Sequence, residues 1–396
     1  MRQGRLGKPK ERIFAMRLGV LKEIKPEEFR VAITPENVHD LTAAGHSVMI
    51  QHGAGLGAGF SDEDYRAAGG DLAGSAHEVA QTAELILKVK EPIEEEFPLF
   101  RRGQILFAYL HSETRPKLVD MLLEKHLKAI AFENVRDSDG SLPLLRPMSV
   151  IAGQQAVLQG MQFLWNHRGG VGTSLVAYPG LDRPRIVVLG AGEAGWHATR
   201  VAAALGALVH VFEIQGTRIR SLWETAPANV VFHRLHGDRP DRALEEAVIH
   251  ADMVVNTATV PPRSERHLID RRLVRRMKKG SVIVDVTANL QGAVETIDRY
   301  TTHKDPVWEV DGVIHYAVTN IPGTVARTAS QALALEVFPY LRVLADHGIP
   351  EAFRIEPALL EGLTAVNGIL TWHEAGRFQK RPWVSPREAV TRLWGF

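Results

Sequence analysis

Residues 185–195 read Arg-Ile-Val-Val-Leu-Gly-Ala-Gly-Glu-Ala-Gly, and no other stretch limits the fold of this chain as tightly. A run of Ile, Val and Leu is a buried strand of a parallel sheet, and the glycines after it are spaced for a tight turn into a helix. Gly190 permits the turn, Gly192 lets a phosphate approach the backbone, and Gly195 lets the helix pack close on the sheet. The N–H groups and positive dipole end of that helix suit a pyrophosphate. Gly190, Gly192, Glu193, Ala194 and Gly195 therefore form a dinucleotide-binding turn. Glu213 ends the next strand, where a carboxylate holds a ribose 2′-hydroxyl and repels a 2′-phosphate. The pair predicts NAD as cofactor, a preference that the nearby Arg218 and Arg220 temper.

At 396 residues the chain is long enough for two domains. Its net charge of +1 supplies no global field for nucleic acid or an anionic membrane, so neither is expected as a partner. No segment approaches the roughly eighteen apolar residues of a transmembrane helix. With no cysteine, thiolate chemistry and cysteine-ligated metals are excluded, and the cytoplasm is the expected compartment. The 17 histidines form no HxxxH-type pair with a third carboxylate, so no metal site is expected. Residues 1–15 carry Arg2, Arg5, Lys8, Lys10 and Arg12 without an apolar core, which reads as a disordered extension and not a secretory signal. Arg271, Arg272, Arg275, Arg276, Lys278 and Lys279 read as a solvated face compensating a helix C-terminus.

Short apolar runs alternate with amphipathic stretches in two sets. Strands are predicted at 18–21, 47–51, 83–89, 104–110 and 128–132, with helices at 35–44, 62–68 and 115–124 between them. The second set has strands at 186–189, 208–212, 253–257 and 281–286, with helices after Gly195 and around 242–250 and 270–277. A long helix at 149–167 separates the sets, and from about Val325 onward the pattern is wholly helical. The predicted class is α/β, with two Rossmann-like doubly wound parallel sheets. A nucleotide domain at 149–325 is inserted into a discontinuous substrate domain, 16–148 and 326–396.

In an open α/β sheet ligands bind beyond the carboxyl ends of the strands. Lys90, in Lys-Val-Lys-Glu-Pro, and His111, in Tyr-Leu-His, follow two such strands and should face one crevice. Arg30 stands just before the first helix and suits a carboxylate. Taken singly, each has an ordinary explanation as a surface ion pair, a solvated lysine or a structural histidine.

Together these segments resemble the alanine dehydrogenase and transhydrogenase alpha-subunit family. The markers are Lys22-Glu-Ile, Arg30-Val-Ala-Ile-Thr-Pro, Gly53-Ala-Gly, Leu87-Lys-Val-Lys-Glu-Pro, Gly103-Gln-Ile-Leu-Phe, Tyr109-Leu-His, Leu142-Pro-Leu-Leu-Arg-Pro-Met-Ser, Thr301-Thr-His-Lys-Asp-Pro and Asn320-Ile-Pro-Gly. The resemblance runs from about Met16 to Pro339 and more thinly to Asn367. It implies a substrate carboxylate on Arg30, a carboxylate or carbonyl oxygen on Lys90, and proton transfer by His111. It also implies that Ser149 contacts the cofactor, that Asn320 sits by the nicotinamide, and that the chain forms a homo-oligomer, commonly a hexamer. The implied reaction is reversible oxidative deamination of L-alanine to pyruvate and ammonium, and histidine titrates in the range such proton transfers need.

The family's dehydrogenases carry Val-Asp-x-x-x-Asp-Gln-Gly-Gly where this chain reads Val284-Asp-Val-Thr-Ala-Asn289-Leu-Gln-Gly. Asn289 thus occupies a catalytic aspartate's place, and an amide can neither accept a proton nor balance an imidazolium. The segment Ala258-Thr-Val-Pro-Pro-Arg, Val150 and Gln154 also depart from the pattern. Three alternatives stay open: another 2-oxo or amino acid as substrate, reductive coupling of an oxo acid to an amine, and a catalytically silent NAD-binding protein. A transhydrogenase subunit is disfavoured by Lys90 and His111.

Overall fold

The computed structural model describes residues 15–236, 242–260, 265–287 and 289–395. The basic extension up to residue 14 and the proline pair at 261–262 lie outside the described residues. In chain order the strands are β1 (Arg17–Val20), β2 (Ser47–Gln51), β3 (Asp71–Ala73), β4 (Leu85–Leu87), β5 (Ile105–Ala108), β6 (Lys128–Ala131), β7 (Arg185–Leu189) and β8 (Leu208–Glu213). They continue as β9 (Val230–Arg234), β10 (Met253–Asn256), β11 (Val282–Asp285), β12 (Val307–Val310), β13 (Val313–Tyr316), β14 (Leu363–Val366) and β15 (Ile369–Leu370). Contacts divide the chain into two compact units, one from Met1–Pro147 with Val325–Phe396 and the other Met148–Thr324.

The first unit holds an eight-stranded sheet in the order β3-β2-β1-β4-β5-β6-β14-β15. From β3 to β6 every pairing is parallel, whereas β14 runs antiparallel to β6 and β15 antiparallel to β14. The expectation of a wholly helical C-terminal segment is therefore corrected. Leu363–Val366 is buried at every position, so it shows no period-2 alternation, and four residues are too few to declare themselves against a helix. The helix Ala326–Ile355 kinks at Gly348, whose φ is 69°. On one face of the sheet Leu21, Ile86, Leu106 and Ala129 pack with Val79 and Ala80 of the helix Ala76–Thr82 and Leu118 and Leu122 of the helix Pro116–Glu124.

The second unit has the order β9-β8-β7-β10-β11-β13-β12, parallel except for the antiparallel edge strand β12. Alternate residues of its central strands feed two cores. Ile186, Val188, Val209 and Val255 face the helices Arg146–Phe163 and Glu193–Ala204. Val187, Leu189, Val254 and Ile283 face the helices Arg242–Ile249 and Arg271–Arg276. Burial on both faces explains why these strands read as unbroken apolar runs. Both sheets are thus doubly wound and parallel-dominated, and mixed at their edges. In each the strand order reverses, between β1 and β4 and between β7 and β10, and such a point is where an α/β sheet opens a crevice. Among the described residues no helix is long and apolar enough to cross a membrane.

Candidate active site

The glycine turn follows β7. Gly190 has φ of 85°, a left-handed conformation that a side chain would strain, and its N–H donates to the Phe212 carbonyl at 2.8 Å. A Cβ on Gly195 would lie 2.0 Å from the Gly190 oxygen, so only glycine lets this helix start so close to the strand. Gly192 caps the helix Glu193–Ala204 in an extended conformation, and a Cβ there would meet nothing nearer than the Arg218 guanidinium at 3.7 Å. That open approach, at a helix N-terminus, fits the pyrophosphate of a dinucleotide. Exposed Glu193 lies 3.9 Å from His197, while Ala194 packs its carbonyl against Gly153, where a Cβ would come within 2.0 Å. Gly153 thereby brings its helix, with half-buried Ser149 one turn earlier, against the turn.

Glu213 is 7% exposed, and its carboxylate accepts N–H groups from Ala191 and from Gln215, each at 2.8 Å. It therefore ties the turn to the end of β8 and holds an acceptor where a ribose hydroxyl would lie. Ala191, Gly192, Gln215 and Arg218 line a cleft of about 400 Å³ beside it. Past β11, Asn289 donates its side-chain amide to the Val260 carbonyl at 3.1 Å. Asp285 accepts the Asn256 amide at 2.7 Å and the Thr287 hydroxyl at 2.9 Å. The Asn320 carbonyl pairs with His303 Nε2 at 2.9 Å.

In the first unit the loops after β1, β4 and β5 carry a dense set of charges. Lys88 is fully buried between Glu23, at 2.9 Å, and Glu96, at 2.8 Å, so its charge is spent on structure. Two residues on, Lys90 has no hydrogen bond or ion pair to its ammonium among the described residues. Burial and then the Arg30 guanidinium push its pKa below the usual lysine value. Arg30 is buried and held by Glu28, with Nε at 2.7 Å and a second nitrogen at 2.5 Å from the carboxylate. Two cations near enough to act on each other's charge favour an anion beside them, and the Lys90 ammonium is unpaired among the described residues.

His111 ends the segment after β5 in a left-handed conformation, φ 45° and ψ 42°, stacked 6.2 Å from Tyr109. Burial first, then the Lys90 charge, press its pKa down to about 4, so the ring is neutral at neutral pH. The imidazole is still 36% exposed, and solvent screens part of that push. Glu133, just past β6, accepts the N–H groups of Leu110 and His111 at 3.0 and 2.6 Å, and burial raises its carboxyl to about 7. Its oxygen is 3.8 Å from His111 Nδ1, beyond hydrogen-bond reach. Sequence reading missed Glu133, although its place at a strand's carboxyl end is the signal that picked out Lys90 and His111. It also missed Glu23 and Glu28, the carboxylates that hold Lys88 and Arg30.

The geometry is matched by similarity. Models of the two domains described as alanine dehydrogenase/PNT, N-terminal and C-terminal, match residues 19–152 and 156–373. The chain belongs to this family. An alanine dehydrogenase of Methanococcus maripaludis is 42% identical over 375 residues, 95% of this chain and 100% of that protein. One from Bacillus subtilis is 40% identical over 364 residues, 91% of this chain and 94% of its own. A solved L-alanine dehydrogenase superposes with a TM-score of 0.86 at 39% identity, covering 92% of this chain and 99% of the other. A transhydrogenase from Sinorhizobium meliloti reaches 0.73 at 26% identity, covering 89% and 98%.

Proposed function

We propose that this chain is an NAD-dependent L-alanine dehydrogenase, interconverting L-alanine and water with pyruvate and ammonium. The observation that carries this reading is the grouping of Arg30, Lys90 and His111 in a chain whose other unit holds a dinucleotide turn. Gly190, Gly192, Glu193, Ala194, Gly195 and Glu213 would hold the cofactor's pyrophosphate and ribose, with Ser149 also contacting the cofactor and Asn320 beside its nicotinamide. When bound there, NAD supplies the acceptor for the hydride lost from the substrate's Cα.

Arg30 holds the substrate carboxylate, and Lys90 holds the oxygen that becomes the pyruvate carbonyl, offsetting its negative charge. Once the substrate's ammonium has given a proton to solvent, loss of hydride leaves an iminium, which water attacks at Cα. His111, neutral beforehand, takes one proton of that water; the remaining hydroxyl proton passes to the nitrogen, so ammonia leaves, the carbonyl forms and the ring is left protonated. In the reverse direction the same ring must enter protonated, and the anionic substrate supplies the charge that raises its pKa toward that state.

A second reading rests on Asn289, which cannot act as base: the same residues would then serve a bulkier 2-oxo acid or join an oxo acid to an amine. NADH oxidation with pyruvate and ammonium, set against a panel of larger oxo acids and amines, separates the two. Turnover highest on pyruvate with ammonium supports the first reading, and none with measurable NADH binding overturns both in favour of a silent NAD-binding protein.

We further propose a homo-oligomer, a hexamer by family likeness, in the cytoplasm. Supporting it, Val171, Val176, Tyr178 and Leu181 are exposed within one loop of the second unit, more apolar surface than an isolated loop ordinarily shows to water. Light scattering on the purified chain tests it, and a monomer at micromolar concentration contradicts it.

A further inference from the structure

We propose that Glu133 and Gln379 are positioning residues that clamp the left-handed turn at His111 from two sides, and so fix the imidazole where it acts. This rests on the reading of His111 as the proton-transferring group. The sheet ladder reaches only as far as Tyr109, whose N–H donates to the Val89 carbonyl at 3.0 Å. Beyond it the chain must turn sharply at a residue with a Cβ in a conformation that favours glycine, and its backbone groups have no strand to bond.

Side chains meet that need. The Glu133 carboxyl accepts the N–H groups of Leu110 and His111. From the helix His373–Gln379, the Gln379 side-chain N–H donates to the Ser112 carbonyl at 2.6 Å and the Glu113 carbonyl at 3.3 Å. Four consecutive residues, Leu110 to Glu113, are thus held by an acceptor on one side and a donor on the other. Gln379 Oε1 is buried with no partner, so the donor half of this amide is the half in use. Gln379 also lies beyond residue 373, where the match to the family model ends.

Glu133 does not reach the ring, since its oxygen is 3.8 Å from Nδ1. Its contribution passes through the main chain and needs an acceptor, not a charge. A glutamine at 133 supplies such an acceptor, which separates clamping from proton relay. A misplacement of the ring by about 1 Å suffices to cost on the order of a hundredfold in rate.

The experiment uses the full chain and the variants Glu133→Ala, Glu133→Gln, Gln379→Leu and His111→Ala. Steady-state NADH oxidation with pyruvate and ammonium is measured together with NADH binding. The rate at which diethyl pyrocarbonate modifies His111, read by peptide mass, reports the ring's setting whether or not the protein turns over. Glu133→Ala and Gln379→Leu are expected to lower kcat by about tenfold or more, with pyruvate KM and NADH Kd within about twofold, and to change the modification rate. Glu133→Gln is expected to stay within about threefold of wild type in kcat and to keep the wild-type modification rate.

Wild-type kcat and modification rates in both Glu133→Ala and Gln379→Leu, alongside an inactive His111→Ala, overturn the clamp alone. Glu133→Gln as impaired as Glu133→Ala also overturns it, because the carboxyl's proton would then be what matters. Full activity in His111→Ala overturns the assigned role of His111 instead. Should Glu133→Ala fail to fold, Gln379→Leu and Glu133→Gln still decide the matter.

Discussion

In the proposed reaction the chemistry of the first unit centres on His111 and on Lys90, whose ammonium has no hydrogen bond or ion pair among the described residues. The histidine depends on the lysine. The Lys90 charge follows burial as a cause of the low His111 pKa, so Lys90→Met should move that pKa from about 4 back toward 6.5, measurable by titrating the ring by NMR. The same substitution should raise the KM for pyruvate by at least about tenfold, because a charge-assisted contact to the substrate is lost. The sign follows for catalysis: His111 serves as base when neutral, so deamination by the wild type should fail only as pH falls toward its pKa. Asn289→Asp should raise alanine turnover by about tenfold if a carboxylate at that position assists proton transfer, and an unchanged rate removes the position from the argument. Residues of this kind were only partly legible in the sequence. Lys90 and His111 showed because they end apolar strands inside distinctive motifs. Glu28 and Glu23 did not, because a carboxylate that neutralises a buried cation looks in sequence like any solvated acid.

Elements were legible in proportion to their length and to the contrast of their pattern. The run Ile186–Leu189 and the helix after Gly195 stood out because a fully buried strand leads directly into a glycine turn. The edge strand β9 did not, since Val230–Arg234 is neither fully buried nor alternating, and β14 is a buried tetrapeptide with no period at all. Close approach of backbones, invisible to periodicity, is what makes two glycines irreplaceable. A methyl on Gly153 would lie 2.0 Å from the Ala194 carbonyl, so Gly153→Ala should push the helix off the turn. The expected cost is about 1–3 kcal/mol in urea unfolding, with NADH affinity falling by at least about tenfold. The second unit also carries a built-in acid sensitivity. His315 is fully buried, pairs with Thr296 and Val313, and titrates near 4 instead of 6.5, chiefly because of burial. The unfolded chain therefore binds the proton first, and stability present above pH 6.5 is lost as pH falls toward 4, by up to about 3 kcal/mol. His315→Asn, which cannot titrate, should flatten that part of the pH dependence of the unfolding midpoint.

Two doubly wound sheets, each with its own reversal of strand order, would divide the labour of the proposed reaction. One unit is built around a turn that only glycine permits. The other is built around buried ion pairs, beside which Lys90 has no ion pair among the described residues and burial keeps His111 neutral. Such a division suits a hydride exchange in which the amino acid and the cofactor are recognised by unrelated means, a carboxylate by cations and a pyrophosphate by backbone N–H groups. In the proposed reaction hydride leaves the amino acid's Cα and arrives on the nicotinamide. That transfer is tested most directly by incubating the protein with NAD and L-alanine carrying deuterium at Cα, and reading the reduced cofactor by mass spectrometry. One deuterium per NADH formed is expected, matched by an equal amount of pyruvate, and none of either in His111→Ala. Deuterium released to water, or pyruvate without labelled NADH, would contradict it.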